Sequence, residues 1–298
     1  MIGIFSLLTK TQTQLIDICT KELGKCGYKD IIANDKFVFA EGTIPIMLVA
    51  HLDTVHKTLP EIYFDKNKQV LWSPDGIGGD DRCGVYAILK ICETHKPYVL
   101  FTTDEEIGRK GAKAFVEQFK NTQLKDYINF MIEIDRRGRN EAVFYQCNNK
   151  DFQDYILSFG FTKGIGSFSD ISTIAPEFDI AAVNLSAGYH NEHSAAEYIV
   201  LDDLFHTIKK VIEILNDTKN HKYYDFQRLV YTSPVRHTYA KKEGAVAWVD
   251  FQVPNVIALD YDTLSEDEWF KVYNYAKPTT FAGLKTTLWW DQYYEDNL

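Results

Sequence analysis

Residues 44–50 read Ile44-Pro-Ile-Met-Leu-Val-Ala50, and His51-Leu-Asp-Thr-Val55 follows at once. A continuous apolar run, rather than an alternating one, marks a strand covered on both faces. Its proline, Pro45, stands near the start, where a missing ladder donor is tolerated. Two further runs share this character, Tyr98-Val-Leu-Phe101 and Ile128-Asn-Phe-Met-Ile-Glu-Ile134. The stretches between them, at 81–94 and 109–120, have helical periodicity. Upstream, residues 10–26 put Leu15, Ile18, Cys19 and Leu23 on one helical face, and Gly24 and Gly27 close the element. Downstream, 179–185 reads as a strand and 201–217 as a helix, through Leu204, Ile208, Val211, Ile212 and Leu215. Strands alternating with helices predict an α/β domain: a mixed, largely parallel central sheet flanked by helices on both faces.

The chain has 298 residues, 45% of them hydrophobic, and a net charge of −10. That length holds one large α/β domain, or a domain of about 200 residues with an appendage. The composition is that of a folded protein, not a disordered or collagen-like one. No apolar run approaches the roughly 18 residues that cross a bilayer. The first residues lack the basic segment and small-residue cleavage site of a signal peptide. Five scattered cysteines (Cys19, Cys26, Cys83, Cys92, Cys147) without CxxC spacing read as reduced thiols, not a disulfide framework. The acidic balance suits phosphate backbones poorly. The expectation is a soluble, cytoplasmic protein with neither nucleic acid nor membrane as partner. Near residue 218 the composition changes, and the chain becomes dense in aromatics up to Leu288-Trp-Trp-Asp-Gln-Tyr-Tyr294. We therefore expect an α/β domain at 1–217 and an aromatic-rich C-terminal extension at 218–298. The extension packs on that domain or mediates an interface.

Four short motifs stand at or just beyond the ends of the apolar runs, where open α/β sheets place ligands. His51 and Asp53 lie two apart on an extended chain and so face one side. A metal-bound imidazole commonly gives its other ring N–H to a carboxylate, and Asp53 is placed to accept it. Taken alone, the pair reads as a satisfied structural histidine. Gly78-Gly-Asp-Asp-Arg-Cys-Gly84 opens the 81–94 helix. In isolation its two carboxylates read as capping and dipole compensation, but a carboxylate with two free oxygens also bridges cations. Thr102-Thr-Asp-Glu-Glu-Ile-Gly108 puts three consecutive acids after a buried strand. These are either a solvated loop or a cation-compensated cluster in which one acid holds metal and its neighbour moves protons. Asp135 ends the third run, and Gly188-Tyr-His-Asn-Glu-His-Ser-Ala-Ala-Glu-Tyr198 completes the set. Here His193 and Glu197 are four apart, and His190 competes with His193 as a ligand. Two histidines and several carboxylates without a Cys motif describe a site for Zn²⁺, Mn²⁺ or Co²⁺. Five ligands with one bridging carboxylate would hold two ions roughly 3.5–4 Å apart, suited to activating water against a carbonyl.

In this order the motifs resemble the di-zinc exopeptidase superfamily: peptidase T, glutamate carboxypeptidase, bacterial leucyl aminopeptidases and related acyl-amino-acid hydrolases. The matching pieces are His51-Leu-Asp-Thr-Val, Gly79-Asp-Asp-Arg-Cys-Gly, Thr103-Asp-Glu-Glu-Ile-Gly, Asp135 and His193-Ser-Ala-Ala-Glu-Tyr, spanning 44–217 with their flanking elements. The resemblance implies that His51, Asp80 and Asp135 hold one metal ion, and Asp80, Glu106 and His193 the other. Asp80 then bridges the pair through a cis peptide to Asp81. The same resemblance makes Glu105 the general base and Asp53 the partner of His51. Ser167-Phe-Ser-Asp-Ile-Ser172 resembles a Ser/Thr-Asp loop bordering the site in relatives, which makes Asp170 a substrate-binding candidate.

Two departures stand out. Relatives with a lid insert a whole domain between the Asp and His ligands, whereas Asp135 and His193 are 58 positions apart (193 − 135). The shell-forming branch inserts a domain between the first His and the bridging Asp, whereas His51 and Asp80 are 29 apart (80 − 51). The chain keeps the metal motifs and lacks both insertions. The implied activity is zinc-dependent hydrolysis of amide bonds by an aminopeptidase acting on short peptides. The alternatives are an N-acyl-amino-acid deacylase or a carboxypeptidase, with Arg82, Arg109, Arg136 and Arg137 as cationic candidates for a substrate carboxylate. An alternative of another class is a catalytically silent scaffold using the aromatic segment. A homo-oligomer, if formed, uses the helices, the sheet edge or residues 218–298.

Overall fold

In the computed structural model, residues 2–228 are described in full, together with the backbone of 236–242 and 245–251. Helices α1 (Ile4–Leu8) and α2 (Gln12–Lys25) lead into β1 (Ile31–Ala33), β2 (Phe37–Ala40) and β3 (Ile44–His51). A hairpin of β4 (Tyr63–Asp65) and β5 (Val70–Trp72) precedes α3 (Gly79–Cys92), β6 (Pro97–Thr102), α4 (Lys110–Phe119) and β7 (Phe130–Arg136). Then follow β8 (Glu141–Val143), α5 (Lys150–Leu157), β9 (Thr162–Lys163) and α6 (Asp170–Phe178). The last are β10 (Ala182–Ser186), β11 (Tyr189–His190), β12 (Tyr198–Val200) and α7 (Leu201–Asn216).

The apolar run at 44–50 is the centre of the structure. β3 pairs in parallel with β6 on one side and β7 on the other, and β7 with β10. The eight-stranded order is β1-β2-β6-β3-β7-β10-β8-β9, with β1, β2 and β8 running antiparallel to their neighbours nearer the centre. The α/β class and the mixed, largely parallel sheet are as the sequence predicts. Successive β3 side chains enter opposite cores. Ile46, Leu48 and Ala50 join the layer that includes α1, α2, α3, α5 and α7, while Met47 and Val49 join the one built by α4 and α6. This two-sided burial is why the run shows no alternation. At Pro45 the ladder to β6 slips register between Ile44 and Met47, so the missing N–H falls at an irregularity.

A second, four-stranded sheet, β11-β12-β5-β4, is antiparallel throughout. Residues 221–228 pack on this first unit: Tyr224 is buried, and its backbone pairs with Ala181 and Asn129. Contacts divide the chain into two units, 1–228 and 229–298. In the second, β13 (Arg236–Lys242) and β14 (Ala245–Phe251) pair antiparallel. The first residues of the expected extension thus belong to the first unit, and what residues 229–298 pack against lies outside the described residues. Among those described, no helix is long and apolar enough to cross a membrane.

Candidate active site

Four chain segments leave the sheets at one place. His51 is the last residue of β3, Glu105 and Glu106 follow β6, Asp135 lies near the end of β7, and Asp80 sits at the start of α3. His193 comes from the turn joining β11 to β12. The parallel registers explain the meeting: His51 pairs with Thr102 and Val49 with Glu133, so the three strands end level. The approach to α3 takes an unusual path. Gly78 has φ 69°, Asp80 and Asp81 depart from helical geometry, and their peptide bond is cis. A side chain at Gly78 would strain that left-handed backbone.

Asp80 is the hub. Its Oδ1 lies 3.0 Å from His51 Nε2, and its Oδ2 lies 3.2 Å from His193 Nε2. One carboxylate thus presents its two oxygens to two imidazoles. His51 Nε2 is also 3.4 Å from Asp135 Oδ1, and His193 Nε2 is 3.1 Å from Glu106 Oε1. The five residues proposed from sequence as ligands come together. Asp81, which also lies near His51 and Asp135, has other work. Its Oδ1 accepts from the Gly84 N–H at 2.9 Å and its Oδ2 from the His51 N–H at 3.3 Å. His190 is drawn away, with Nε2 3.0 Å from Asp203 and its ring stacked on Tyr198.

Asp53 is bound from three sides. Its Oδ1 lies 3.2 Å from His51 Nδ1 and accepts from the Glu105 N–H at 2.9 Å, while Oδ2 accepts from the Glu106 N–H at 3.0 Å. Burial acts to raise its pKa, but the hydrogen bond from His51 and the two amides hold it below the usual range. Glu105 is buried. Burial, opposed by His51 and reinforced by Asp170, Asp135 and Glu106, pushes its carboxyl up to about 9. Burial and the charge of Asp80 likewise carry Asp135 up to about 7. Asp170 heads α6, fully buried, and accepts a short hydrogen bond from Thr102 Oγ1. Arg82 donates to the Lys10 carbonyl, Arg109 to Ser172, Arg136 to Glu141 and Arg137 to Glu192.

Two contributors had little or no sequence signal. Glu197 has a fully buried side chain, accepting from the Gly78 N–H at 2.8 Å and the Asp80 N–H at 2.9 Å. It holds the backbone that leads into the hub residue. His56 Nε2 lies 2.7 Å from the same carboxylate. Glu197 stands four residues after His193, which hinted at a role; His56 stands in no motif.

The donor set fits a divalent metal ion. Imidazole nitrogens and carboxylate oxygens converge within 4.8 Å in groups such as Asp80, Glu106 and His193 or His51, Glu105 and Glu106. Buried carboxylates this close repel one another, and a cation relieves that repulsion.

Residues 39–215 match the model of peptidase family M28. The chain belongs to this family of metal-dependent peptide hydrolases. No curated protein matches it closely enough to compare. Among solved structures it is similar to the aminopeptidase PepT of Bacillus cereus, with 14% identity over 71% of this chain and 96% of that one and a TM-score of 0.55. It is also similar to a tripeptidase of Staphylococcus aureus, with 14% identity, 71% and 95% coverage and a TM-score of 0.56. A Zn-dependent exopeptidase of Parabacteroides distasonis shares 14% identity, with 72% and 95% coverage and a TM-score of 0.52. At these identities the likeness is one of fold.

Proposed function

We propose that the protein is a zinc-dependent aminopeptidase acting on short peptides, with two metal ions bridged by Asp80. The observation that carries this reading is the Asp80 carboxylate, whose oxygens lie 3.0 Å from His51 and 3.2 Å from His193. His51, Asp80 and Asp135 would hold one ion, and Asp80, Glu106 and His193 the other. Bound there, the ions supply a water of lowered pKa and a Lewis acid for the substrate carbonyl. Glu105 takes the proton of the attacking water at its carboxylate and returns it to the leaving amine nitrogen. Burial and the neighbouring acids hold its carboxyl up to about 9, and the charge of cations bound beside it would lower that toward the range in which it takes up and gives back a proton. Asp53 fixes the ring of His51 through Nδ1 and, through two amides, the positions of Glu105 and Glu106. Glu197 fixes the backbone carrying Asp80.

Arg82, Arg109, Arg136 and Arg137, the sequence candidates for a substrate carboxylate, each donate to a protein acceptor. The amino- rather than carboxypeptidase reading is supported by the likeness in fold to the aminopeptidase PepT.

The test is one tripeptide offered free, N-acetylated and C-amidated to zinc-reconstituted protein, with fragments identified by mass spectrometry and Glu105→Gln as the blank. Loss of the N-terminal residue from the free and amidated forms alone is expected. Release of acetate, or a requirement for a free C-terminus, would replace this reading with a deacylase or a carboxypeptidase.

A further inference from the structure

The four-stranded sheet turns one face to the core and the other to solvent. Leu71, Ile199 and Tyr189 are buried on the inner face. On the outer face the register sets Tyr63 beside Trp72, Trp72 beside Tyr198 and Tyr198 beside His190, a single row across all four strands. Tyr63 and Trp72 are each about two-fifths exposed, at 40% and 41%. The row is two stacked pairs rather than one continuous stack. Tyr63 and Trp72 have centroids 4.9 Å apart, as do His190 and Tyr198. Trp72 and Tyr198, one ring from each pair, line a shallow groove of about 350 Å³ together with Val70, Ala196, Asp65 and Lys68. Each wall ring is backed by its stacking partner, so little side-chain freedom is lost when a ligand enters.

The row lies at the sheet end nearest the candidate site. His190 and Tyr198 close the turn that carries His193, and Trp72 is the last β5 residue before the segment leading to Asp80. Ala196 follows His193 by three residues, so their Cα atoms are at most about 11 Å apart. An extended peptide advances about 3.3 Å per residue, so one held at His193 reaches the groove within three or four residues.

We propose that this groove is a substrate subsite that receives a bulky apolar or aromatic side chain three or four residues beyond the scissile bond. The inference rests on the peptidase reading of the neighbouring site. It makes peptides of four or five residues, rather than dipeptides, the substrates the protein distinguishes best.

The test uses the full chain carrying Glu105→Gln, zinc-loaded, with Ala-Ala-Ala-Phe-Ala and Ala-Ala-Ala-Gly-Ala as probes in calorimetry. The Phe peptide should bind about tenfold more tightly, the scale of one aromatic contact. Trp72→Ala should remove that preference, and Tyr63→Ala, which takes away the backing ring, should weaken it. In the protein with Glu105 intact, the same Phe-to-Gly ratio should appear in kcat/KM and fall with Trp72→Ala. Turnover of both peptides without a Phe preference overturns the groove and leaves the peptidase reading standing. A Phe preference lost in Trp72→Ala, without turnover of any peptide, sustains the groove and removes the peptidase reading. If Trp72→Ala instead converts a dimer to monomers in sedimentation velocity with peptide binding unchanged, the face joins copies of the chain and the proposal is wrong.

Discussion

At Asp53, one carboxylate touches His51 Nδ1 and the amides of Glu105 and Glu106, at 3.2, 2.9 and 3.0 Å. Asparagine has the same shape but turns an NH₂ toward one of these donors, so Asp53→Asn must break part of the arrangement. We expect a loss of roughly 10–100-fold in zinc affinity or kcat, the cost usual for such supporting carboxylates, measured by competition with a chelator and by initial rates. Glu105→Gln should behave differently: kcat falls about 10²–10⁴-fold while zinc affinity stays within a few-fold of the parent. Equal loss of metal and turnover would recast Glu105 as a ligand. Glu197→Ala leaves two buried N–H donors, of Gly78 and Asp80, without their acceptor. It should cost about 1–3 kcal/mol in a denaturant titration and weaken zinc binding as well. His51, Glu106 and Asp135 stood out in the sequence because each ends or follows an apolar run, whereas Asp80 and His193 stood out only through the order of the motifs. His56 did not, since nothing in the sequence brings residue 56 to residue 197.

At the scale of elements, long buried stretches were readable and short ones were not. β3, β6, β7, α3, α4 and α7 carry enough consecutive apolar or periodic positions to declare themselves. The hairpin β4–β5 and strand β12 have three residues each, too few for any period to register. α6 has Pro176 inside it, which argues against a helix locally; the fully buried Asp170, Ile171 and Ile174 show that tertiary packing decides there. Helix α3 supplies a prediction of its own. A Cβ at Gly84 would sit 2.0 Å from the Ile134 carbonyl oxygen and 2.5 Å from the Asp81 carboxylate. This glycine lets α3 lie against β7 while Asp81 anchors the turn beside Asp80. Gly84→Ala should therefore destabilise by about 1–3 kcal/mol or more and reduce zinc binding. Gly24→Ala, near the end of α2 with nothing within 4 Å, should stabilise by about 0.5–1 kcal/mol. Comparing the two melting temperatures separates close packing from helix propensity.

Across the whole molecule, the sheet's strand ends and the turns of the smaller sheet build one acidic centre in a chain of net charge −10. Cations bound there act on stability by mass action: at a free zinc concentration a hundred times Kd the gain is about 2.7 kcal/mol. Chelation should lower the melting temperature, zinc should restore it, and Asp80→Asn should blunt the response. The most direct measurement is calorimetric titration of the chelated protein with zinc, read alongside peptide turnover at each point. Two ions per chain in the parent, a lower stoichiometry in Asp80→Asn and turnover that rises with filling of the site are the expected results. Turnover that persists without metal, or two undiminished ions in Asp80→Asn, would contradict a metal pair bridged by that carboxylate.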